Sequence, residues 1–159
     1  ELARKKLFFT ETDLSILIKD VVNSLKNEAD LKSIGIDLKL EENLPVIFID
    51  KDEVEKVIYT LVENAITYTP KNRHILIKSS IQANLIKICV IDNGSGMSEE
   101  IQKRLFKRYE MALAIERKIG AGMGLYLSKQ IIEAHNGKIE FTSKINKGTT
   151  FCFTLPISQ

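Results

Sequence analysis

Residues 86–96 constrain the fold more than any other stretch of this chain. Ile86, Ile88 and Val90 alternate with other residues as on one face of a half-buried strand, and by the same count Asp92 falls on the apolar side. A buried carboxylate is costly unless a specific donor satisfies it. The stretch therefore predicts a strand that ends at a carboxylate awaiting a partner. The alternative is an ordinary strand end followed by a surface turn.

Helical and strand-like patterns alternate along the rest of the chain. Three long segments with helical spacing begin near Leu14, Asp50 and Leu125, and the first is expected to end just before Gly35. Alternating residues predict hairpins over residues 75–92 and 138–155. Helices set between paired strands predict an α+β fold. We expect a two-layer sandwich in which three long helices cover one face of a mixed, mostly antiparallel sheet.

The composition fits one ordinary globular domain. The chain has 159 residues, of which 44% are hydrophobic, and its formal net charge of +2 gives no indication of nucleic acid binding. No apolar stretch approaches the roughly 18 residues of a membrane span, and the start lacks a signal-peptide pattern, so we expect a cytoplasmic domain. Cys89 and Cys152 are expected to be free, buried thiols in a reduced compartment.

Two further motifs are weak when taken singly. Residues 120–124, Gly-Ala-Gly-Met-Gly, lead into a helix whose first N–H groups can gather phosphate oxygens, although plain hinges have the same spacing. Asn64 lies at the edge of an apolar helical stripe, with Tyr68 one turn later. The alternative for Asn64 is a helix-terminal amide bonded to nearby backbone.

In order and spacing, five motifs resemble those of sensor histidine kinases. They are residues 63–70, 92–96, 106–109, 120–125 and 148–151. The resemblance extends from Thr12 to the end of the chain. It implies the Bergerat fold, the ATP-binding sandwich shared with gyrase, the Hsp90 chaperone and MutL. It also implies that residues 1–11 end a preceding dimerisation helix and linker, while residues 12–159 form the catalytic ATP-binding domain.

Carried over residue by residue, the resemblance implies an adenine-binding end of the site. Asp92 would accept a hydrogen bond from the exocyclic amino group of adenine. Gly94 and Gly96 would let the backbone pass close to the base and ribose. Thr149 would reach the adenine through a water molecule.

The resemblance also implies a phosphate-binding end. Asn64 would ligate Mg²⁺ through its amide oxygen, and Arg108 would place a cation near the γ-phosphate, so these two are the expected catalytic residues. The other residues expected to bind the cofactor are Tyr68, Gly120, Gly122, Gly124 and Leu125.

The chain departs from the family's pattern at several positions, of which two bear on the chemistry. Thr60 stands where the related hydrolytic ATPases carry a Glu that activates water, so we expect poor ATP hydrolysis. Thr67 stands where the family often has a cation that contacts phosphate. The candidates to replace that cation are Lys71, Arg73, Arg117 and Lys118.

The resemblance implies a protein-histidine kinase domain that uses ATP and Mg²⁺. Neither His74 nor His135 has the family's phosphoacceptor sequence, so the γ-phosphate would go to a histidine on a separate dimerisation domain, and then to a response regulator. We expect the isolated piece to be monomeric, although the full-length protein could be anchored in a membrane. The alternatives are an anti-sigma-type Ser/Thr kinase on the same fold and a catalytically inactive nucleotide-binding module.

Overall fold

The computed structural model describes residues 6–106 and 122–158. The helices are α1 (Leu14–Ser24), α2 (Lys26–Leu31), α3 (Lys51–Tyr68), α4 (Glu99–Arg104) and α5 (Gly122–Ala134). The strands are β1 (Thr10–Thr12), β2 (Gly35–Lys39), β3 (Ile47–Ile49), β4 (His74–Gln82), β5 (Leu85–Asp92), β6 (Lys138–Lys144) and β7 (Gly148–Pro156). None of the helices within the described ranges has the length and apolar character needed to cross a membrane.

Five strands form one sheet in the order β2-β4-β5-β7-β6. β2 runs parallel to β4, and every other neighbouring pair is antiparallel. Burial alternates along the central strands, so that Ile75 and Ile77 of β4 and Ile86 and Ile88 of β5 are fully buried under the helices. The predicted α+β sandwich, with a mixed, mostly antiparallel sheet and three long helices on one face, is confirmed.

The first helix differs from the prediction at its C-terminal end. Asp13 caps its start, with Oδ1 accepting the N–H of Ser15 at 2.9 Å. The helix stops at Ser24, because the fully buried Leu25 leaves helical geometry, and the chain continues as the short α2. Gly35 consequently begins β2 instead of following a long helix.

The chain enters the domain through a small second sheet in which β1 pairs with β3. The N–H of Phe8 donates to Asp50 Oδ2 at 3.0 Å, and the ring of Phe9 stacks on His135 at 5.0 Å between centroids. His135 is fully buried. Its Nε2 accepts the N–H of Asp50 at 3.0 Å, so Nδ1 carries the proton and donates to the Ile131 carbonyl at 2.8 Å. This histidine therefore joins the chain entry to α3 and α5.

The expectation of two free thiols is wrong, because Cys89 of β5 and Cys152 of β7 form a disulfide. The antiparallel register places the two cysteines directly opposite each other, with their Cα atoms 4.1 Å apart. They are 63 residues apart in sequence, so neither local pattern indicated the other as a partner. The pair lies on the outer face of the sheet, opposite the face that the helices cover.

Candidate functional site

One narrow pocket lies where α3 and β5 end and where β7 and α5 begin. Six of the residues predicted for the site line it, namely Asn64, Tyr68, Asp92, Gly96, Leu125 and Thr149. The cavity volume is only about 10 Å³, far below the roughly 300 Å³ or more of pockets that hold a ligand. The structure therefore brings the separate motifs together around a pocket whose walls lie close to one another.

Asp92 provides a half-satisfied carboxylate at this pocket. It ends β5 on the core-facing side and is 8% exposed. Its Oδ1 accepts the backbone N–H groups of Gly94 at 2.9 Å and Thr149 at 3.1 Å. Within the described residues, Oδ2 accepts no hydrogen bond. Burial raises the pKa of Asp92, and the two backbone N–H groups act in the opposite direction. A ligand that donates a hydrogen bond to Oδ2 would complete the arrangement.

The two glycines after Asp92 are required by contacts within the protein. A Cβ atom on Gly94 would lie 2.5 Å from the carbonyl oxygen of Tyr68 and 3.0 Å from Asp92 Oδ1. Gly96 has a φ of +71°, and a Cβ atom there would collide with the backbone carbonyl of Lys144. The glycines thus allow the loop after Asp92 to pack between the end of α3 and the β6–β7 turn.

Thr149 links the carboxylate to a polar group that the sequence analysis missed. Its hydroxyl lies 2.8 Å from the Ser143 hydroxyl, which also accepts the backbone N–H of Met97 at 2.9 Å. The terminal hairpin places Ser143 directly opposite Thr149. Because the sequence predicts this hairpin, the pairing with Thr149 was the signal by which Ser143 could have been assigned to the site. Met97 also lines the pocket, and the only sequence signal was its position directly after Gly96.

Asn64 presents an unsatisfied amide to the same pocket. The residue is 5% exposed, and its Nδ2 atom has no hydrogen-bond partner in the described part of the chain. The two ends of an amide are assigned from their surroundings, so this end can serve as a donor or, after a flip, as the oxygen ligand of a cation. Beside it, burial raises the pKa of Tyr68 to about 12, so this phenol is neutral at physiological pH.

The structure tests whether Asn64 and its surroundings suit a metal ion. Among the residues described, no cluster of three or more His, Cys, Asp or Glu side chains is arranged to hold a metal. A single amide oxygen is nevertheless adequate for Mg²⁺ when water and phosphate oxygens complete the shell. The orphaned Asn64 amide is consistent with that arrangement.

The start of α5 packs directly against α3. Gly122 is its first residue, and a Cβ atom on Gly124 would lie 3.0 Å from Thr60 Cγ2. Leu125 is buried and lines the pocket, so the N-terminal end of α5 lies beside it. The predicted residues Arg108 and Gly120, and the candidate cations Arg117 and Lys118, lie outside the described residues.

Of the two remaining candidate cations, Lys71 and Arg73, the structure shows a hydrogen bond for Arg73. Arg73 donates from Nη1 to the carbonyl oxygen of Asn93 at 2.6 Å, so it supports the loop that follows Asp92. Lys32, which the sequence analysis missed, donates to two carbonyl groups in the last turn of α3 at 2.7 and 3.1 Å. Burial and then the charge of Lys71 lower the pKa of Lys32. No local pattern in the sequence connects Lys32 to that helix end.

Comparison with known sequences gives a family. Residues 49–159 match the family model described as histidine kinase-, DNA gyrase B- and HSP90-like ATPase. The adaptive-response sensory kinase SasA of Gloeothece citriformis is 34% identical over 158 residues, which cover 98% of this chain and 40% of SasA. Sporulation kinase E of Bacillus subtilis is 29% identical, with 96% of this chain and 20% of that protein covered. The chain thus spans less than half the length of these curated relatives.

Comparison with solved structures agrees. The nucleotide-free catalytic domain of histidine kinase ThkA superposes with a TM-score of 0.84 at 27% identity, covering 96% of this chain and 97% of that domain. Full-length ShkA in complex with AMPPNP has the same fold, with a TM-score of 0.83 at 22% identity over 96% of this chain and 32% of ShkA. Since the family model spans most of the chain, this chain belongs to the family of histidine kinase-, DNA gyrase B- and HSP90-like ATPases.

Proposed function

We propose that this chain is the ATP- and Mg²⁺-binding catalytic domain of a sensor histidine kinase. One observation carries the proposal. Asp92 is a buried carboxylate with one oxygen held by two backbone N–H groups, and the other accepts no bond within the described residues. The exocyclic amino group of adenine is a suitable donor for that second oxygen. The solved complex of full-length ShkA with AMPPNP, an analogue of ATP, supports a nucleotide in this fold.

The phosphates would lie on the side of the pocket where Asn64 meets the start of α5. Asn64 would hold Mg²⁺ together with phosphate oxygens and water, and the ion would neutralise charge on the triphosphate. The N-terminal end of α5 would add its backbone N–H groups. Phosphoryl transfer depends mainly on positioning and charge neutralisation, so orienting the γ-phosphate is this domain's part of the reaction.

The acceptor in this proposal is a histidine of a dimerisation domain outside residues 12–159. His135 is fully buried and both of its ring nitrogens are hydrogen bonded, so it is unsuited to accept phosphate. His74 opens a strand, with Nδ1 3.3 Å from Asp37 Oδ2. A response regulator is the proposed next acceptor. The solved complex of the relative ThkA with the response regulator TrrA supports this partner class. The proposed use of ATP favours a cytoplasmic location for the domain.

Phosphate transfer to a histidine-bearing dimerisation domain provides the test. The chain, a matched dimerisation domain and γ-labelled ATP should yield an acid-labile phosphohistidine, and Asn64→Ala should abolish it while leaving the fold intact. Acid-stable label on Ser or Thr would instead indicate the anti-sigma type of kinase. If ATP binds and no matched partner is phosphorylated, the domain is an inactive nucleotide-binding module and the proposal is wrong.

A further inference from the structure

The disulfide between Cys89 and Cys152 lies on the face of the sheet that the described helices leave uncovered. It joins β5 and β7, which are inner strands of the sheet, on the face opposite the helices. Cys89 is half-buried and Cys152 is 8% exposed. No described helix covers this face, so a small molecule can approach the sulfur of Cys89. Cys152 is the more buried residue of the two.

Two lysines lie on one side of Cys89, the more exposed cysteine of the pair. Lys78 of β4 lies directly opposite Cys89, and Lys39 of β2 lies directly opposite Lys78. Side chains at opposed positions stand about 5 Å apart at Cβ, so both ammonium groups are within reach of an approaching anion. Neither lysine forms an ion pair with any residue that the structure describes. Two like charges thus remain uncompensated beside Cys89.

A second pair of charges on this face is largely neutralised. Lys87 lies on the same face of β5 as Cys89, and its Nζ is 3.7 Å from Glu140 Oε1. Glu140 lies directly opposite Cys152. The carboxylate is therefore on the Cys152 side of the disulfide and the unpaired lysines are on the Cys89 side. An anionic reagent is attracted to the Cys89 side.

The same two strands lead directly to the carboxylate of the pocket. Asp92 lies three residues after Cys89 on β5, and Thr149 lies three residues before Cys152 on β7. The Thr149 N–H donates to Asp92 Oδ1 at 3.1 Å. The disulfide is therefore a covalent bond across the strand pair whose ends position the Asp92 carboxylate.

We infer that Cys89–Cys152 is a thiol–disulfide exchange site selective for anionic low-molecular-weight thiols of the glutathione type, and that its redox state sets the affinity of the pocket. The exchange depends only on the disulfide and its lysines, whereas the effect on affinity rests on the proposed nucleotide-binding function. Holding β5 and β7 together keeps Asp92 and Thr149 in register, so the oxidised form is the better binder.

The exchange proceeds in two balanced steps. A small-molecule thiolate attacks the sulfur of Cys89, a mixed disulfide forms there, and Cys152 leaves as a thiolate that takes a proton from water. A second small-molecule thiolate then attacks the small-molecule sulfur of that mixed disulfide and releases Cys89 as a thiolate. Two electrons pass from two thiols to the protein, and the products are a small-molecule disulfide and two protein thiols.

Reduction kinetics of the purified oxidised chain test the selectivity. At low salt, Lys78→Gln should slow reduction by glutathione several-fold and reduction by 2-mercaptoethanol much less, because the attacking thiolate of 2-mercaptoethanol carries a single negative charge whereas that of glutathione carries carboxylates as well. Added salt should remove the difference. The exposed Lys19→Gln on α1 is the matched control and should change neither rate. Equal effects of Lys78→Gln on both thiols would overturn the selectivity.

Mass spectrometry tests the site of attack. The Cys152→Ser variant treated with glutathione disulfide should carry a glutathione adduct on Cys89, and Cys89→Ser should form little adduct on the shielded Cys152. A chain that keeps two free thiols after exposure to an oxidant, or an adduct that forms equally in both variants, would contradict the inference.

Calorimetry with MgATP tests the coupling to the pocket. The oxidised chain should bind about three- to tenfold more tightly than the reduced chain, as expected if reduction leaves only a fraction of molecules competent to bind. The variant with both cysteines changed to Ser should behave like the reduced form. Equal affinities would refute the coupling while leaving the proposed function intact. Absence of binding in either redox state would refute the proposed function, and the exchange kinetics would still be measurable.

Discussion

The two ends of the pocket differ in the groups that form them and in how far those groups are hydrogen bonded without a ligand. The Asp92 end is made of strand ends joined by backbone hydrogen bonds from Gly94 and Thr149, and it is complete without a ligand apart from one carboxylate oxygen. The opposite end depends on the orphaned amide of Asn64 and the N-terminal end of α5. In the proposed function, base recognition would therefore be built into the sheet, whereas phosphate and metal binding would be completed by the ligand. The two functions should separate under mutation.

Among the changes considered, Asp92→Asn should cause the largest loss of nucleotide affinity, because it alters the Asp92 end of the pocket. The Asn oxygen can still accept from Gly94 and Thr149, so the fold should be kept, but an NH₂ group then faces the position expected for the adenine amino group. Two opposed donors left unpaired should weaken binding of adenosine and MgATP at least about 100-fold. Calorimetry provides the measurement. The exposed Asp37→Asn on β2 is the control, and unchanged binding in Asp92→Asn would disprove the adenine assignment.

Asn64→Ala should impair binding at the Asn64 end of the pocket and leave the Asp92 end intact. MgATP affinity should fall about tenfold or more through loss of the proposed metal ligand, with a larger loss of phosphoryl transfer, while adenosine, which has no phosphates, should bind as before. Parallel titrations with the two ligands measure this separation. Asn23→Ala on the exposed side of α1 controls for a general effect of Asn removal. Equal losses for adenosine and MgATP would show that the ends are not independent.

Gly94→Ala should damage the Asp92 end through packing. Its Cβ atom would sit 2.5 Å from the Tyr68 carbonyl oxygen, so the loop must shift, at a cost of about 1–3 kcal/mol in the free energy of unfolding. Adenosine affinity should fall with it, by less than in Asp92→Asn. Urea unfolding measures the stability, and Ser95→Ala, at the exposed neighbouring position, should be close to neutral. A fully stable Gly94→Ala would contradict the close contact.

The pH dependence of adenosine binding should show the smallest effect. Burial raises the pKa of Asp92 above its ordinary 3.8, so the acceptor is lost by protonation at a higher pH than for an exposed Asp. Affinity should therefore weaken as the pH falls through the raised pKa, before general acid unfolding. Protonation of Asp92 has the opposite effect on the free energy of unfolding. At pH values above its raised pKa the ionised Asp92 opposes folding, and this penalty disappears as the pH falls and the carboxylate takes up a proton. Calorimetry over an acidic pH series would test the direction.

Much of the fold followed from periodicity because burial on one face is a local property of the sequence. The strand ending in Asp92 and the helix bearing Asn64 could both be recognised from their own neighbours. The break at Leu25 could not, because its buried side chain is accommodated by tertiary packing that overrides helix propensity.

The missed features depend mainly on residues distant in sequence. The disulfide required knowledge that β5 pairs with β7 in a register that opposes Cys89 to Cys152. Ser143 also accepts the N–H of Met97, which is 46 residues away in sequence. The glycine spacing indicated close approach, but only the folded chain shows that Gly94 meets the backbone of Tyr68. Such contacts are fixed by the assembled sheet and helices, which no local window contains.

The contacts of His135 have a mechanical consequence. α3 has 18 residues and is therefore about 27 Å long, with its N-terminal end bonded through Asp50 to His135 and its C-terminal end at the pocket. α5 runs the opposite way, from the pocket to His135. Phe9 stacks on the same ring. A displacement of the residues around Phe9 would therefore act on the ends of α3 and α5 that lie away from the pocket. The opposite ends of these two helices carry Asn64 and Leu125 in the pocket wall.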